Sequence, residues 1–422
     1  MLKSQFFSST SRAAGPSSSL VALDYLLFEA RFLCDSRRAR GVRYRLGDVL
    51  AVIVVGVLCG NDDAEAISQW AGHERDWLME HVPGLDGRIP SQDTILRTLA
   101  LIRVDVFSEL LRRWTQKFFG PNALEAGHIA IDGKTKRSAT KRNTSGSSVH
   151  AIAAVMTSAR IVLAECAVDT KANEITAAPD LLRALELRGA LVSGDAMYTQ
   201  TALAEQIVQA GGDYFLQVKR NQPTLQQEMT AVFLDAFDAQ KHPEPIADRP
   251  GIKVHFDDVE KGHGRLEQRI TVVASMEKKR MECAGRWKAL AALVLVFRWR
   301  VDLATSNVSF EPALFITSRR MDAKTANDVA RAHWGIETYH HILDVSYGED
   351  ASRVANENAA HNLGMVRRLV QNLLSEVEPR RSVPYKRREC SHDPEFRPRN
   401  AAASHIDTLT ARALPIGYTG RT

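Results

Sequence analysis

Between His128 and Val218 the chain alternates short apolar runs with helical stretches in an order that few folds accommodate. His128-Ile129-Ala130-Ile131-Asp132 is a run of strand length that closes on an acid. Val149 to Met156 and Arg160 to Val168 are two further runs, separated by a tight turn near Thr157-Ser158, so three adjacent strands form a meander. A helix follows over Ile175 to Leu187, then a fourth strand, Ala190-Leu191-Val192-Ser193, which ends at Gly194-Asp195. Another helix covers Thr199 to Gln209, and a fifth strand covers Tyr214 to Val218. Strands and helices mixed in this way predict an α/β fold, because an apolar sheet face is stable only when covered.

The flanks read differently. Residues 20–120 form a helical N-terminal domain, with Leu46, Val49, Leu50, Ile53 and Val57 at helical spacing. Ser91, after Pro90, is a plausible N-cap for a helix carrying Ile95, Leu96 and Leu99, and Gly120-Pro121 closes the region. Residues 1–19 hold Ser and basic residues without an acid and are expected to be disordered, a transit peptide being the alternative. The stretch 220–320 is irregular and β-rich, with Val254, Phe256, Ile270, Val272, Val273, Leu293 to Phe297 and Leu314 to Thr317 as strand candidates, and is expected to be an inserted subdomain. Long helices are predicted over Ala323 to Val345 and Glu357 to Leu374, Arg367 and Arg368 lying on a solvated face of the second. The tail, 376–422, carries Arg380, Arg381, Lys386, Arg387, Arg388, Arg397 and Arg399 among prolines and small residues and is expected to be basic and disordered.

Composition narrows the function classes. Lys and Arg outnumber Asp and Glu by 55 to 50, which permits a nucleic-acid partner without requiring one. Cysteines are scattered with no CxxC pair, which disfavours a zinc ribbon and fits a reducing, cytoplasmic setting. The apolar run from Val49 to Cys59 is too short to span a bilayer, which takes about 20 residues, so no membrane role is expected.

Asp132 and Asp195 end the first and fourth strands, where α/β sheets present ligands. A third carboxylate is expected from the late helix, in Arg331-Ala332-His333-Trp334-Gly335-Ile336-Glu337. At helical spacing His333, Glu337, His340, His341 and Asp344 fall on or near one face. Two Asp and a Glu are a sufficient oxygen-donor set for a pair of Mg²⁺ ions in phosphoryl displacement. Each Asp alone is more ordinarily a turn residue; the three in this element order favour chemistry. A zinc site from His333, Glu337 and His340 is a weaker alternative. Lys134, Lys136, Arg137, Lys141 and Arg142 follow Asp132 and lead into a Ser/Thr/Gly-rich loop, a candidate phosphate grip or a solvated loop. Lys219, Arg220, Asn221 and Gln222 leave the fifth strand and are also placed to meet a DNA backbone, as is Arg331 on the late helix.

Several segments make a resemblance specific: Asp132-Gly133-Lys134, Lys171-Ala172-Asn173-Glu174-Ile175, Gly194-Asp195-Ala196-Met197, Lys219-Arg220-Asn221-Gln222, His263-Gly264-Arg265-Leu266-Glu267, His333-Trp334-Gly335-Ile336-Glu337 and Glu349-Asp350-Ala351-Ser352-Arg353. Taken jointly, over residues 25 to 375, the chain resembles bacterial insertion-sequence DDE transposases, in the group that includes the H-repeat-associated proteins. That resemblance implies an RNase H-like catalytic domain over 128–375, with Asp132, Asp195 and Glu337 as catalytic and metal-binding residues. It implies Mg²⁺, two ions, with Mn²⁺ as a substitute. It also implies double-stranded DNA as the partner, at the element ends and the target, and a homodimer or higher oligomer on DNA. The expected activity is metal-dependent strand cleavage and strand transfer, the alternative being a silent DNA-binding derivative. Thr338, Ile342 and Tyr198-Thr199 depart from the family pattern without removing a carboxylate.

Overall fold

The computed structural model describes residues 25, 29, 30, 33, 35, 37, 42–119, 127–135, 150–168, 174–237, 247, 248, 250–262, 264–276, 281–376 and 381–394. The first nineteen residues, Lys136, Arg137, Lys141, Arg142 and most of the expected tail lie outside them.

The N-terminal part is helical as predicted: α1 (Leu46–Leu58), α2 (Ala64–His73), α3 (Arg75–His81), α4 (Gln92–Leu101) and α5 (Val104–Phe119). Ser91 caps α4 by accepting from the Thr94 amide, and Asp63 caps α2 at Ala66. Every residue of α1 is buried. A helix apolar all round needs partners on all sides, and α1 finds them in α2, α4 and two helices from the far end of the chain.

The sheet carries β1 (His128–Thr135), β2 (His150–Met156), β3 (Ile161–Val168), β4 (Leu191–Gly194) and β5 (Asp213–Val218), with α6 (Glu174–Arg183) and α7 (Thr201–Gln209) on the crossovers. The strands β1, β2 and β3 pair antiparallel, whereas β4 pairs parallel with both β1 and β5. After α8 (Pro223–Ala236) come β6 (Ile252–Phe256), β7 (Glu260–Gly262), β8 (Arg265–Ser275), β9 (Ala292–Asp302) and β10 (Val308–Thr317). These do not form a sheet of their own. Antiparallel pairing of β10 with β5 extends the first sheet into the order β3-β2-β1-β4-β5-β10-β9-β8-β6, with β7 on β8. The fold is a mixed α/β architecture on one large mixed sheet.

Three long-range features correct the sequence reading. The helix α10 (Glu357–Glu376) is a core element, and Arg367 and Arg368 are buried on it, not solvated. Arg368 lies between Glu165 and Glu349, 2.7 Å from the latter, so its charge is matched by acids far away in sequence. The N-terminal helices share one apolar core with β1–β5 and α10 instead of enclosing a separate one. On α10, the Asn362 amide donates to Leu99 and Ile102 carbonyls at 2.7 and 2.8 Å. The Asn372 amide bonds both the N–H and the C=O of Val162, at 2.9 Å each. That side chain stands in for a missing neighbour on β3, an outermost strand, and closes part of an edge that would otherwise be open to pairing. Finally, residues of the expected disordered tail form α11 (Val383–His392), whose Lys386, Arg387 and Cys390 are buried. Arg387 donates to the Val57 carbonyl at the end of α1, to Asp62 and to the Ser346 carbonyl, and stacks 4.3 Å from the Tyr347 ring.

The helix α9 (Ala323–Ser346) crosses the sheet and matches the predicted late helix almost end to end. Asp322 caps it by accepting from the Thr325 amide at 2.7 Å.

Candidate active site

In the parallel β1/β4 pair, Ile131 stands opposite Gly194. Asp132 and Asp195 are the next residue on each strand, so the register brings the two carboxylates to neighbouring positions, about 5 Å apart in backbone spacing. Burial and the charge of Asp195 push the Asp132 carboxyl up to about 6, against a partial offset from the Gly133 amide, which donates to it at 2.8 Å. Two carboxylates that oppose each other's ionisation form a site that a cation relieves.

The helix α9 meets this pair through residues at the spacing noted in the sequence. His333 Nε2 lies 3.3 Å from Asp195 Oδ1, and His340 Nδ1 lies 3.5 Å from Asp132 Oδ2. Glu337 falls between them, four residues after one and three before the other, and is exposed. One turn further on, Asp344 holds the Lys134 ammonium at 2.6 and 2.8 Å. Lys134 is therefore not presented to a phosphate as expected: it is buried and serves to fasten α9 to β1. His340 is driven down to about 4 by burial and by the neighbouring Lys134 and Arg368 charges.

Behind Asp195 runs a polar chain that the sequence did not announce. His333 Nδ1 lies 2.9 Å from the Ser193 hydroxyl, which lies 2.7 Å from His128 Nε2, and His128 Nδ1 reaches Thr157 at 3.1 Å. Burial, with His333 and Arg319 nearby, holds His128 down to about 3. A second chain lies behind Asp132: Glu174, His150, Tyr198 and Thr135. The available signal was a polar residue within an otherwise apolar strand run, as at Ser193 and His150.

The other expected residues are dispersed. Lys219 and Arg220 are exposed where β5 ends. The Asn221 amide donates to the Ala196 carbonyl at 2.6 Å, tying that basic turn to the turn that follows Asp195. Arg331 is held by Asp257 and Glu260, at 3.3 and 2.7 Å.

Carboxylate oxygens are the donor type that Mg²⁺ prefers, and the neighbouring Asp132 and Asp195 supply that chemistry. Among the described residues no group of three or more His, Cys, Asp and Glu side chains is already gathered closely enough to hold one. Among them, too, no helix is long and apolar enough to cross a membrane.

Comparison with known proteins identifies the family. The family described as Transposase DDE domain matches residues 123–373, and the family described as DDE_Tnp_1-associated matches residues 31–115. The chain is 32% identical over 362 residues to YncI of Escherichia coli O157:H7, named as a candidate transposase, covering 84% of this chain and 87% of that protein. It is 29% identical over 356 residues to YhhI of Escherichia coli, named as an H-repeat-associated candidate transposase, covering 84% and 91%. An uncharacterised Xanthobacter autotrophicus protein is 36% identical over 290 residues, covering 68% and 92%. A piggyBac transposase synaptic complex with hairpin DNA aligns over 98% of this chain and 88% of that one, at 11% identity and a TM-score of 0.39, too low to carry an argument. With more than half its length matched to the Transposase DDE domain, the chain belongs to the bacterial insertion-sequence DDE transposases.

Proposed function

We propose that Asp132, Asp195 and Glu337 are the catalytic carboxylates of this transposase, on an RNase H-like core formed by β1–β5. The observation that carries the reading is the contact of α9 with the aspartates: its His333 and His340 approach one each, and Glu337 lies between these two along the helix. Mg²⁺, as two ions held by these carboxylates, would activate the attacking oxygen and neutralise charge on the leaving one, with Mn²⁺ as a substitute. The protein's own contribution is preorganisation. The parallel β1/β4 register sets the distance between the aspartates. His340, kept neutral by burial, stands 3.5 Å from Asp132 without cancelling the charge needed to hold a cation. Lys134 and Asp344 fix where along β1 the helix sits.

In this reading the substrate is double-stranded DNA, first at the element ends and then at the target. Exposed Lys219 and Arg220, tied through Asn221 to the Asp195 turn, are positioned to take phosphates beside the cut. Arg331 is left out of this role by its acidic partners. The N-terminal helices, with Arg43 and Arg45 exposed ahead of α1, contribute to end recognition. A homodimer or higher oligomer would bring two ends together.

The test is cleavage of DNA carrying the flanking ends of the protein's own gene. Asp195→Asn keeps the shape and loses the charge, so it should abolish Mg²⁺-dependent cleavage and spare DNA binding. Near-normal cleavage by this variant would overturn the assignment. End binding without cleavage by the unaltered protein would instead indicate a silent DNA-binding derivative.

A further inference from the structure

Glu174, the first residue of α6, is 1% exposed and makes two hydrogen bonds that converge on the site from opposite sides. Its Oε1 lies 2.7 Å from His150 Nε2, and its Oε2 accepts from the Tyr198 hydroxyl at 2.6 Å. With His150 Nε2 donating to the carboxylate, His150 Nδ1 accepts from the Thr135 hydroxyl at 2.7 Å. Thr135 is on β1 three residues beyond Asp132, and Tyr198 is in the turn three residues beyond Asp195. One buried carboxylate thus grips the chain just downstream of both aspartates. The grip is close: a Cβ added at Gly133 would stand 2.4 Å from the Glu174 carboxyl carbon, so only glycine lets β1 pass beside it. Tyr198, where the family pattern departs, supplies the hydroxyl on one side.

We propose that Glu174 is a positioning residue that sets the separation and aim of Asp132 and Asp195, acting through His150 on one strand and Tyr198 on the other. The inference rests on those two aspartates being the cation ligands. Each Glu174 oxygen has a short hydrogen bond directed at it from a side chain that is held by, or lies in, the chain just beyond an aspartate, which gives it a part in holding the ligands. Groups that hold ligands in orientation contribute about 10- to 100-fold to metal affinity or activity.

The experiment measures Mn²⁺ binding to the full chain by calorimetry, alongside DNA binding and thermal unfolding, for Glu174→Gln and Tyr198→Phe. Glu174→Gln is isosteric but cannot accept both hydrogen bonds; Tyr198→Phe removes one donor and leaves the carboxylate. Both should weaken Mn²⁺ binding about tenfold or more, with end-DNA binding unchanged. Mn²⁺ affinity unchanged in a folded variant, with only the unfolding temperature lowered, would assign Glu174 a purely structural role and overturn the proposal. If Glu174→Gln does not fold, Tyr198→Phe decides. Asp195→Asn is the control that separates the two claims. Loss of Mn²⁺ binding there, with retention in Tyr198→Phe, refutes the positioning role alone. Retention in Asp195→Asn refutes the ligand assignment on which it rests.

Discussion

Replacing Lys134 by Met separates two roles that the sequence leaves open for this lysine. If Lys134 contacts a DNA phosphate, its loss should reduce the dependence of binding on salt. A single phosphate contact contributes a slope of about 0.9 in log K against log salt. If it fastens α9 to β1, the slope should not change and stability should fall. The structure supports the second outcome and gives its size. The ammonium lies 2.6 Å from Asp344, with side-chain exposures of 9% and 30%, so the pair is neither a surface pair nor fully enclosed. Surface pairs contribute about 0–1 kcal/mol, and breaking a buried pair costs about 3–5 kcal/mol. A half-enclosed pair falls between, at about 2 kcal/mol, or about 2–4 °C in unfolding temperature for a chain of this length. Asp344→Asn should cost more than Lys134→Met, because it strands the more deeply buried partner. In a double-mutant cycle the two should couple by about 1–2 kcal/mol, measured by urea unfolding. Additive effects, together with a salt slope reduced by about one, would refute the fastening role and restore Lys134 to the DNA interface.

Glu337→Asp should fold normally and cleave poorly: on a helix with a fixed Cα, losing one methylene withdraws the carboxylate by about 1.5 Å, beyond the tolerance of coordination. Single-turnover cleavage with circular dichroism as the folding control tests this, and unaltered rates would remove Glu337 from the site. Arg368→Met should destabilise by about 3–5 kcal/mol in urea unfolding, because Glu165 and Glu349 would remain buried without their common cation; a cost below about 1 kcal/mol would contradict the buried network. His128 is held neutral in the fold, down to about 3 against an ordinary 6.5. A depressed base contributes stability that is full above the unfolded value and is lost as pH falls from 6.5 towards 3. At about pH 5 the loss is about 2 kcal/mol. His128→Gln should be less sensitive than the unaltered protein to lowering the pH from about 7.5 to about 5, and equal sensitivity would count against a neutral, buried His128.

The features legible in the sequence are those governed by local pattern. Asp132 and Asp195 each follow an apolar run of strand length, and Glu337 shares a helical face with His333 and His340. The helix bounds and the Ser91 cap follow from spacing and backbone chemistry in the same way. What escaped depends on partners distant along the chain. A sequence shows that Arg367 and Arg368 are charged, but not that Glu165 and Glu349 await the second of them in the interior. Apolar strands between 220 and 320 are visible, but not that β10 returns to pair with β5. The tail's basic residues resemble a solvated segment because nothing local shows that Arg387 meets the ends of two other helices. Glu174 stood in plain view within a family motif, and only the fold shows that its oxygens face β2 and the turn after Asp195.

The attachment of α11 has a consequence for biosynthesis. Arg387 binds carbonyls at the C-terminal ends of α1 and α9, Val57 and Ser346, the second in the helix carrying Glu337. During translation both carbonyls emerge from the ribosome before the guanidinium that bridges them. A nascent chain that already holds Asp132, Asp195 and Glu337 thus still lacks the clasp that joins α1 to α9. The arrival of Arg387, and not that of Glu337, is the point at which α1 and α9 become joined through this side chain.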